Sequence, residues 1–361
     1  MRLISTKSAK PGTILAQTIY NDNGQVLIQK GVLLTERLLN RLSNQGITYL
    51  YIDDELTSDI QVQSAISEKL RKEATDAIKG AFFEIKEKGA YDRSYLLEKK
   101  GNQLSSVIER IINEILDRDE ALSMLADIFI TDDYIFQHSL NVTIYSLAIG
   151  TEMHLSRKEL SEIGLGAMLH DIGKIFLDQE ILQKPNKLSD DEYEIVKSHA
   201  QLGYDFLRKN NNIPSVVAHC AYQHHERIDG SGYPRGLTGN DIHKYAKLIG
   251  IADVFDAVTS NRVYRDAMLP HEGLEILYAG AVNLFEKEMV VAFKKGVAVY
   301  PKGLTVELSD RRKGIVVRQN KSLCDRPVIR IISEDNKALT KPYECDLSKV
   351  VNVMITSCHI D

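Results

Sequence analysis

The stretch EIGLGAMLHDIGK, residues 162–174, decides how the rest of the chain is read. It is an apolar run at helical spacing that closes on His170 and Asp171, two adjacent side chains able to share a divalent cation. Taken alone, the pair is equally a polar helix terminus. Lys174 lies three residues beyond Asp171. On a continuing helix its ammonium sits beside that carboxylate, as a surface ion pair or as a contact for a phosphoryl oxygen.

A second cluster, HHERIDGSGYP, begins at residue 224. Adjacent helix side chains point about 100° apart, so His224 and His225 serve one metal only at a helix end or with a second site. The tail Asp229-Gly230-Ser231-Gly232-Tyr233-Pro234 is turn chemistry that lets backbone approach a ligand. It reads equally as an inter-helical loop with a buried tyrosine. Two apolar helical segments each carry a costly polar residue: His138 in DDYIFQHSLNVTIYSLAIG (132–150) and Asp253 in LIGIADVFDAVTSNRVYR (248–265). A cation removes that cost for both, and so does a buried His–Asp hydrogen bond. His199, in KSHAQLGYDFL, completes the histidines with informative neighbours; His154, His219, His243, His271 and His359 lack such company and read as ordinary residues.

Outward from these motifs, the predicted fold class is mainly α. Residues 120–290 form a helical domain, preceded over 56–119 by long amphipathic helices such as SAISEKLRKEATDAIKGAFFEIKEKG and NQLSSVIERIINEILDR. Residues 1–55 read as a small ββαβ unit, with a turn at Asn23-Gly24 and a helix capped by Thr35. Residues 291–361 read as a small β-rich unit, from runs such as LTVELS, GIVVRQN and PVIRIIS.

Composition narrows the function classes. Lysine and arginine total 45 against 50 acidic residues, a net charge of −5, which argues against a partner as polyanionic as a nucleic-acid polymer. Four cysteines without CxxC spacing indicate neither a zinc knuckle nor a disulfide framework. No apolar run approaches the roughly 18–20 residues of a membrane helix, and the opening MRLISTKSAKPGTILAQ lacks a secretory leader. The expectation is a cytoplasmic protein with no membrane span.

HDIGK (170–174) followed by HHERIDGSGYP (224–234) resembles the composite signature of the HD-GYP domain family, over about residues 120–270. The resemblance implies a helical HD-superfamily fold and hydrolysis of cyclic di-GMP to linear pGpG, or on to GMP. It implies a two-metal centre in which His138, His170, Asp171 and Asp253 hold one cation. Asp171 bridges to the second, which His199, His224 and His225 complete. Iron or manganese is favoured; zinc or nickel suits the same donors. The resemblance also gives Asp171 and Lys174 catalytic roles, and Lys174, Tyr233, Arg262 and Arg265 contacts to the substrate's phosphates and guanines. Ala200 stands where many members have proline. Some members carry a glutamate four residues before the first histidine that supports a third metal; here that position is Tyr134, and Asp133 would point elsewhere, so two metals are expected.

Two divalent cations against two carboxylates leave a net positive centre suited to a phosphodiester and an activated water. Arg227, Arg262 and Arg265 add positive charge nearby, although Arg227 reads equally as a solvated surface residue. Two rival readings are a non-catalytic module that senses a cyclic dinucleotide or docks a diguanylate cyclase through its GYP loop, and a hydrolase for another cyclic dinucleotide. The helices before residue 120 offer a surface for pairing two subunits.

Overall fold

Local signals set the helix boundaries. Thr35 accepts from the Leu38 N–H to start a helix that turns Leu39 and Leu42 inward, and Ser156 and Ser189 open two more through reciprocal capping boxes with Glu159 and Glu192. The computed structural model describes residues 1–361 apart from 22–25, 46, 63, 88–89, 118–128, 131–133, 183, 185, 211, 261–266, 321–322, 336 and 361.

The N-terminal unit runs β1 (Arg2–Ser5), β2 (Ile19–Asn21), β3 (Val26–Ile28), α1 (Glu36–Asn44) and β4 (Tyr49–Ile52). The predicted ββαβ order is present, with β1 as an additional strand paired antiparallel to β4, Arg2 opposite Ile52. Four residues are too few for alternation to announce a strand, and its pairing is long-range. The turn at Asn23-Gly24 lies outside the described residues.

The helical body follows: α2 (Glu68–Glu87), α3 (Ala90–Leu116), the two-residue β5 (Phe129–Ile130), α4 (Tyr134–Glu152), α5 (Arg157–Leu169), α6 (Gln179–Leu182), α7 (Asp190–Lys197), α8 (His199–Leu207), α9 (Ser215–Gln223), α10 (Lys244–Thr259), α11 (Pro270–Gly280) and α12 (Lys287–Gly296). One apolar core joins Leu70 and Phe82 of α2, Ile108 and Ile111 of α3, Leu140 and Ile144 of α4, and Ile249 and Phe255 of α10. Much of the apolar surface of α2 and α3 is thus buried in this core, although Phe83 and Leu116 stay exposed. Polar contacts reinforce the seam: Glu109 accepts from Arg157 Nε at 2.8 Å and from the Ser161 hydroxyl at 2.5 Å.

The C-terminal strands β6 (Thr305–Leu308), β7 (Lys313–Arg318), β8 (Val328–Glu334), β9 (Lys337–Asp346) and β10 (Ile355–His359) form an antiparallel sheet in the order β10-β6-β7-β8-β9. Its inner face (Val306, Val316, Ile329, Ile331) packs on Leu3, Tyr49 and Tyr51 of the N-terminal unit, a second core. The Leu3 N–H donates to Gly303 O at 3.0 Å and the Ser5 N–H to Ile360 O at 2.6 Å. Among the described residues, no helix is long and apolar enough to cross a membrane.

Candidate metal centre

Five helices converge on one point. His138 comes from the first turns of α4, His170 and Asp171 from the end of α5, His199 from the first position of α8, His224 and His225 from just beyond α9, and Asp253 from α10. The glycine of HDIGK makes the convergence possible. A Cβ on Gly173 would lie 1.9 Å from His199 O and 2.7 Å from Gly203 N. Only a bare backbone lets the short 3₁₀ turn Ile172–Phe176 lie directly on α8 and carry Asp171 to His199.

Asp171 is the hub. Its Oδ2 faces His138 Nε2 at 3.6 Å and His170 Nε2 at 3.4 Å, while its Oδ1 faces His199 Nε2 at 3.4 Å and His224 Nε2 at 3.8 Å. Two metal-competent sets result, His138 with His170 and Asp171, and Asp171 with His199, His224 and His225. The donor atoms within each set lie within 4.8 Å of one another. This is the donor arrangement of a binuclear divalent-metal centre. Asp253 stands between the sets, Oδ1 at 3.1 Å from His138 Nε2 and Oδ2 at 3.6 Å from His225 Nδ1. The spacing problem posed by adjacent histidines is solved at a helix end: His224 is the C-terminal cap of α9 and His225 lies beyond it.

The ring nitrogens are oriented from outside. Carbonyls only accept, so Nδ1 of His170, His199 and His224 carries the proton, donating to Ala167 O at 2.6 Å, Val196 O at 2.6 Å and Ala221 O at 2.9 Å. Each Nε2 lone pair is thereby aimed inward. His138 Nδ1 bonds the Asp256 carboxylate at 2.7 Å, and Asp256 is fixed in turn by Asn141 Nδ2 at 2.9 Å and the Ser260 hydroxyl at 3.1 Å. His170 Nε2 and Asp171 Oδ1 are fully buried with no hydrogen-bond partner. Such atoms are expensive to bury unless a cation completes them, so the donor set fits divalent metals.

Electrostatics agree. Burial holds His170, His224 and His225 below the ordinary histidine range and His199 at about 4, so these rings are neutral donors at neutral pH. Burial pushes Asp171 up, but the Lys174 ammonium and the surrounding imidazoles outweigh it and hold the carboxyl well below its usual range. Burial likewise pushes His138 down, and Asp253 and Asp256 together overcome it, raising the ring to about 9. That surplus of negative charge is what a bound cation offsets.

The loop after α9 is packed back against the end of that helix. A Cβ on Gly232 would meet Arg227 N at 2.4 Å and His225 O at 2.5 Å, so the loop folds back onto its own origin. Tyr233 donates its N–H to His225 O at 3.2 Å and stacks its ring on His225, centroids 4.5 Å apart. Buried Glu226 accepts from the Arg235 and Leu237 N–H groups at 2.8 and 2.9 Å. Arg227 is half-buried: its guanidinium donates to His224 O and Glu226 O and covers the Phe285 ring. The free carbonyls at the end of α9 claim it. Lys174 bonds Asp171 Oδ2 inside the centre. Arg262, Arg265 and Asp133 lie outside the described residues.

Sequence reasoning assigned no role to Asp256 or Glu226. Asp256 had a signal, a second acid three residues after Asp253 and hence on the same face of an apolar helix.

A helical body that gathers histidines and aspartates from five helices around a shared carboxylate defines the class of histidine–aspartate metal-centre domains. Residues 103–289 match the HD domain family, and residues 305–359 match the KOW domain associated with HD domain. The chain belongs to the HD-domain family, in its HD-GYP branch. It is 33% identical, over 66% of its length and 58% of the relative's, to a cyclic di-GMP phosphodiesterase of Pseudomonas aeruginosa. It is 35% identical to a cyclic di-GMP phosphodiesterase of Thermotoga maritima, over 63% of this chain and 62% of that one. A 3'3'-cGAMP-specific phosphodiesterase of Vibrio cholerae is 34% identical over 46% of this chain and 36% of its own. The chain thus spans about three fifths of the length of the first two relatives. Its fold is similar to that of an HDG"Y"P protein from Bdellovibrio bacteriovorus, with a TM-score of 0.53 at 18% identity, covering 81% of this chain and 97% of that one.

Proposed function

We propose that the chain hydrolyses a phosphodiester bond of cyclic di-GMP, yielding linear pGpG or going on to GMP. The observation that carries the reading is the single carboxylate, Asp171, offering one oxygen to each of two histidine sets. We assign the reaction to residues 120–290, flanked by units over 1–55, 56–119 and 291–361.

In this reading His138, His170, Asp171 and Asp253 hold one cation and Asp171, His199, His224 and His225 the other, with iron or manganese preferred among metals these donors accept. When bound, such a pair supplies Lewis-acid polarisation of the phosphoryl group and a nucleophilic water at neutral pH. The chain's own groups do the rest. Asp171 positions both sets at once. Lys174, tied to Asp171, can turn its ammonium to a non-bridging phosphoryl oxygen or give a proton to the departing alkoxide. Tyr233, whose ring stacks on His225, is assigned to donate to a phosphate or stack on a base. Arg262 and Arg265 complete the substrate contacts.

The test is metal analysis of anaerobically purified protein coupled to product detection. Two metals per chain and linear pGpG are expected; full-rate cleavage by metal-free protein overturns the reading. A second substrate, 3'3'-cGAMP, is favoured by the likeness to the Vibrio cholerae enzymes. Comparing kcat/KM for the two rings decides between them.

A further inference from the structure

Beside the metal ligands, α7 presents two side chains that the reaction above leaves unused. The Lys197 ammonium lies 5.7 Å from the centroid of the Tyr233 ring and 5.2 Å from that of Tyr193, one turn earlier on α7. Tyr233 is stacked on His225. A file of groups therefore runs from an imidazole of the centre through Tyr233 and Lys197 to Tyr193, whose ring is half exposed (48%). An ammonium flanked by two aromatic faces is held by the ring quadrupoles without losing its donors. Its carboxylate partner, Glu194, is a neighbour on the same short helix with a side chain 68% exposed. Such pairs are weak and exchange readily for another anion. Lys174, by contrast, is engaged by Asp171 inside the centre.

A cyclic dinucleotide brings two phosphates and two purines. With one phosphate at the metals, the second charge and at least one base face need partners of their own. We propose that Lys197 and Tyr193 form a second nucleotide subsite, Lys197 contacting the phosphate that is not cleaved and Tyr193 stacking one purine. The inference rests on the cyclic-dinucleotide reading of the same centre, and it makes α7 a determinant of substrate class rather than of the chemical step.

The experiment compares wild type, Lys197→Met, Lys197→Arg and Tyr193→Ala as full-length, manganese-loaded protein. The substrates are cyclic di-GMP and bis(p-nitrophenyl) phosphate, which has one phosphate and no purine. Lys197→Met and Tyr193→Ala should each raise KM for cyclic di-GMP about tenfold with kcat within about twofold, and leave both constants for the small diester unchanged. Lys197→Arg should restore most of the KM. An unchanged KM for cyclic di-GMP, or an equal loss on both substrates, overturns the proposal, the second because it marks a disturbed His199. Calorimetry with a non-hydrolysable phosphorothioate analogue of cyclic di-GMP separates the two layers. If wild type turns over neither substrate, the catalytic reading fails; the subsite then stands if Lys197→Met weakens analogue binding about tenfold and falls if it does not.

Discussion

Asp256 holds His138 by its far nitrogen: the carboxylate accepts from Nδ1 at 2.7 Å, so Nε2 is presented to Asp171 and Asp253. Removing the support should loosen the ligand without deleting it. Asp256→Ala is expected to lower affinity at the His138-containing site about 10- to 100-fold, the usual range for such partners. Metal titration followed by mass spectrometry of the bound ions reads this out. Undiminished affinity at both sites would show that Asp256 has no orienting role.

Asp171 serves both sets, so its loss should not behave like the loss of one histidine. Asp171→Ala is expected to abolish turnover and to reduce metal content toward zero, whereas His225→Ala should lose one metal and retain the other. Chelation of wild type should abolish turnover reversibly. Retention of one full equivalent by Asp171→Ala would contradict the shared-carboxylate arrangement.

Gly173 touches backbone, not a movable side chain. Gly173→Ala should therefore separate the 3₁₀ turn from α8 and cost at least about 2 kcal/mol, in the range of overpacked interiors. The denaturation midpoint should fall together with metal content. A variant with wild-type stability and two metals would refute the close-approach argument.

His271 stacks on Tyr300 and lies 3.7 Å from Cys358 Sγ of β10. Burial lowers its pKa below the ordinary histidine value of 6.5, against the opposing pull of Glu272 and Glu275. The unfolded chain therefore binds this proton more tightly. Its stabilising contribution is complete above pH 6.5 and is lost as pH falls through the lower, folded-state value. Thermal midpoints measured from pH 7.5 to 5 should fall more steeply for wild type than for His271→Gln. Parallel curves would remove His271 from the acid response.

Much of the centre was legible because its chemistry is written locally. His170 and Asp171 are adjacent, and His138 and Asp253 stand out as polar residues that apolar helices cannot bury unaided. What sequence could not rank was which charged neighbours turn inward. Arg227 reads equally as nearby positive charge or as a solvated surface residue, and only the fold shows its Nη1 donating to His224 O and Glu226 O. Asp256 reads as redundant until Asp253 is seen to face the metal sets and Asp256 the back of His138. In the flanks, β1 escaped notice because its partner, β4, is some fifty residues away in the chain and no local period betrays that pairing.

The hydrogen bond from Ser5 to Ile360 and the contact of Leu3 with Gly303 give the polypeptide the connectivity of a fastened belt. Peeling β1 away breaks these two bonds as well as its pairing with β4, so the first unit and the five-stranded sheet should loosen together as one cooperative event.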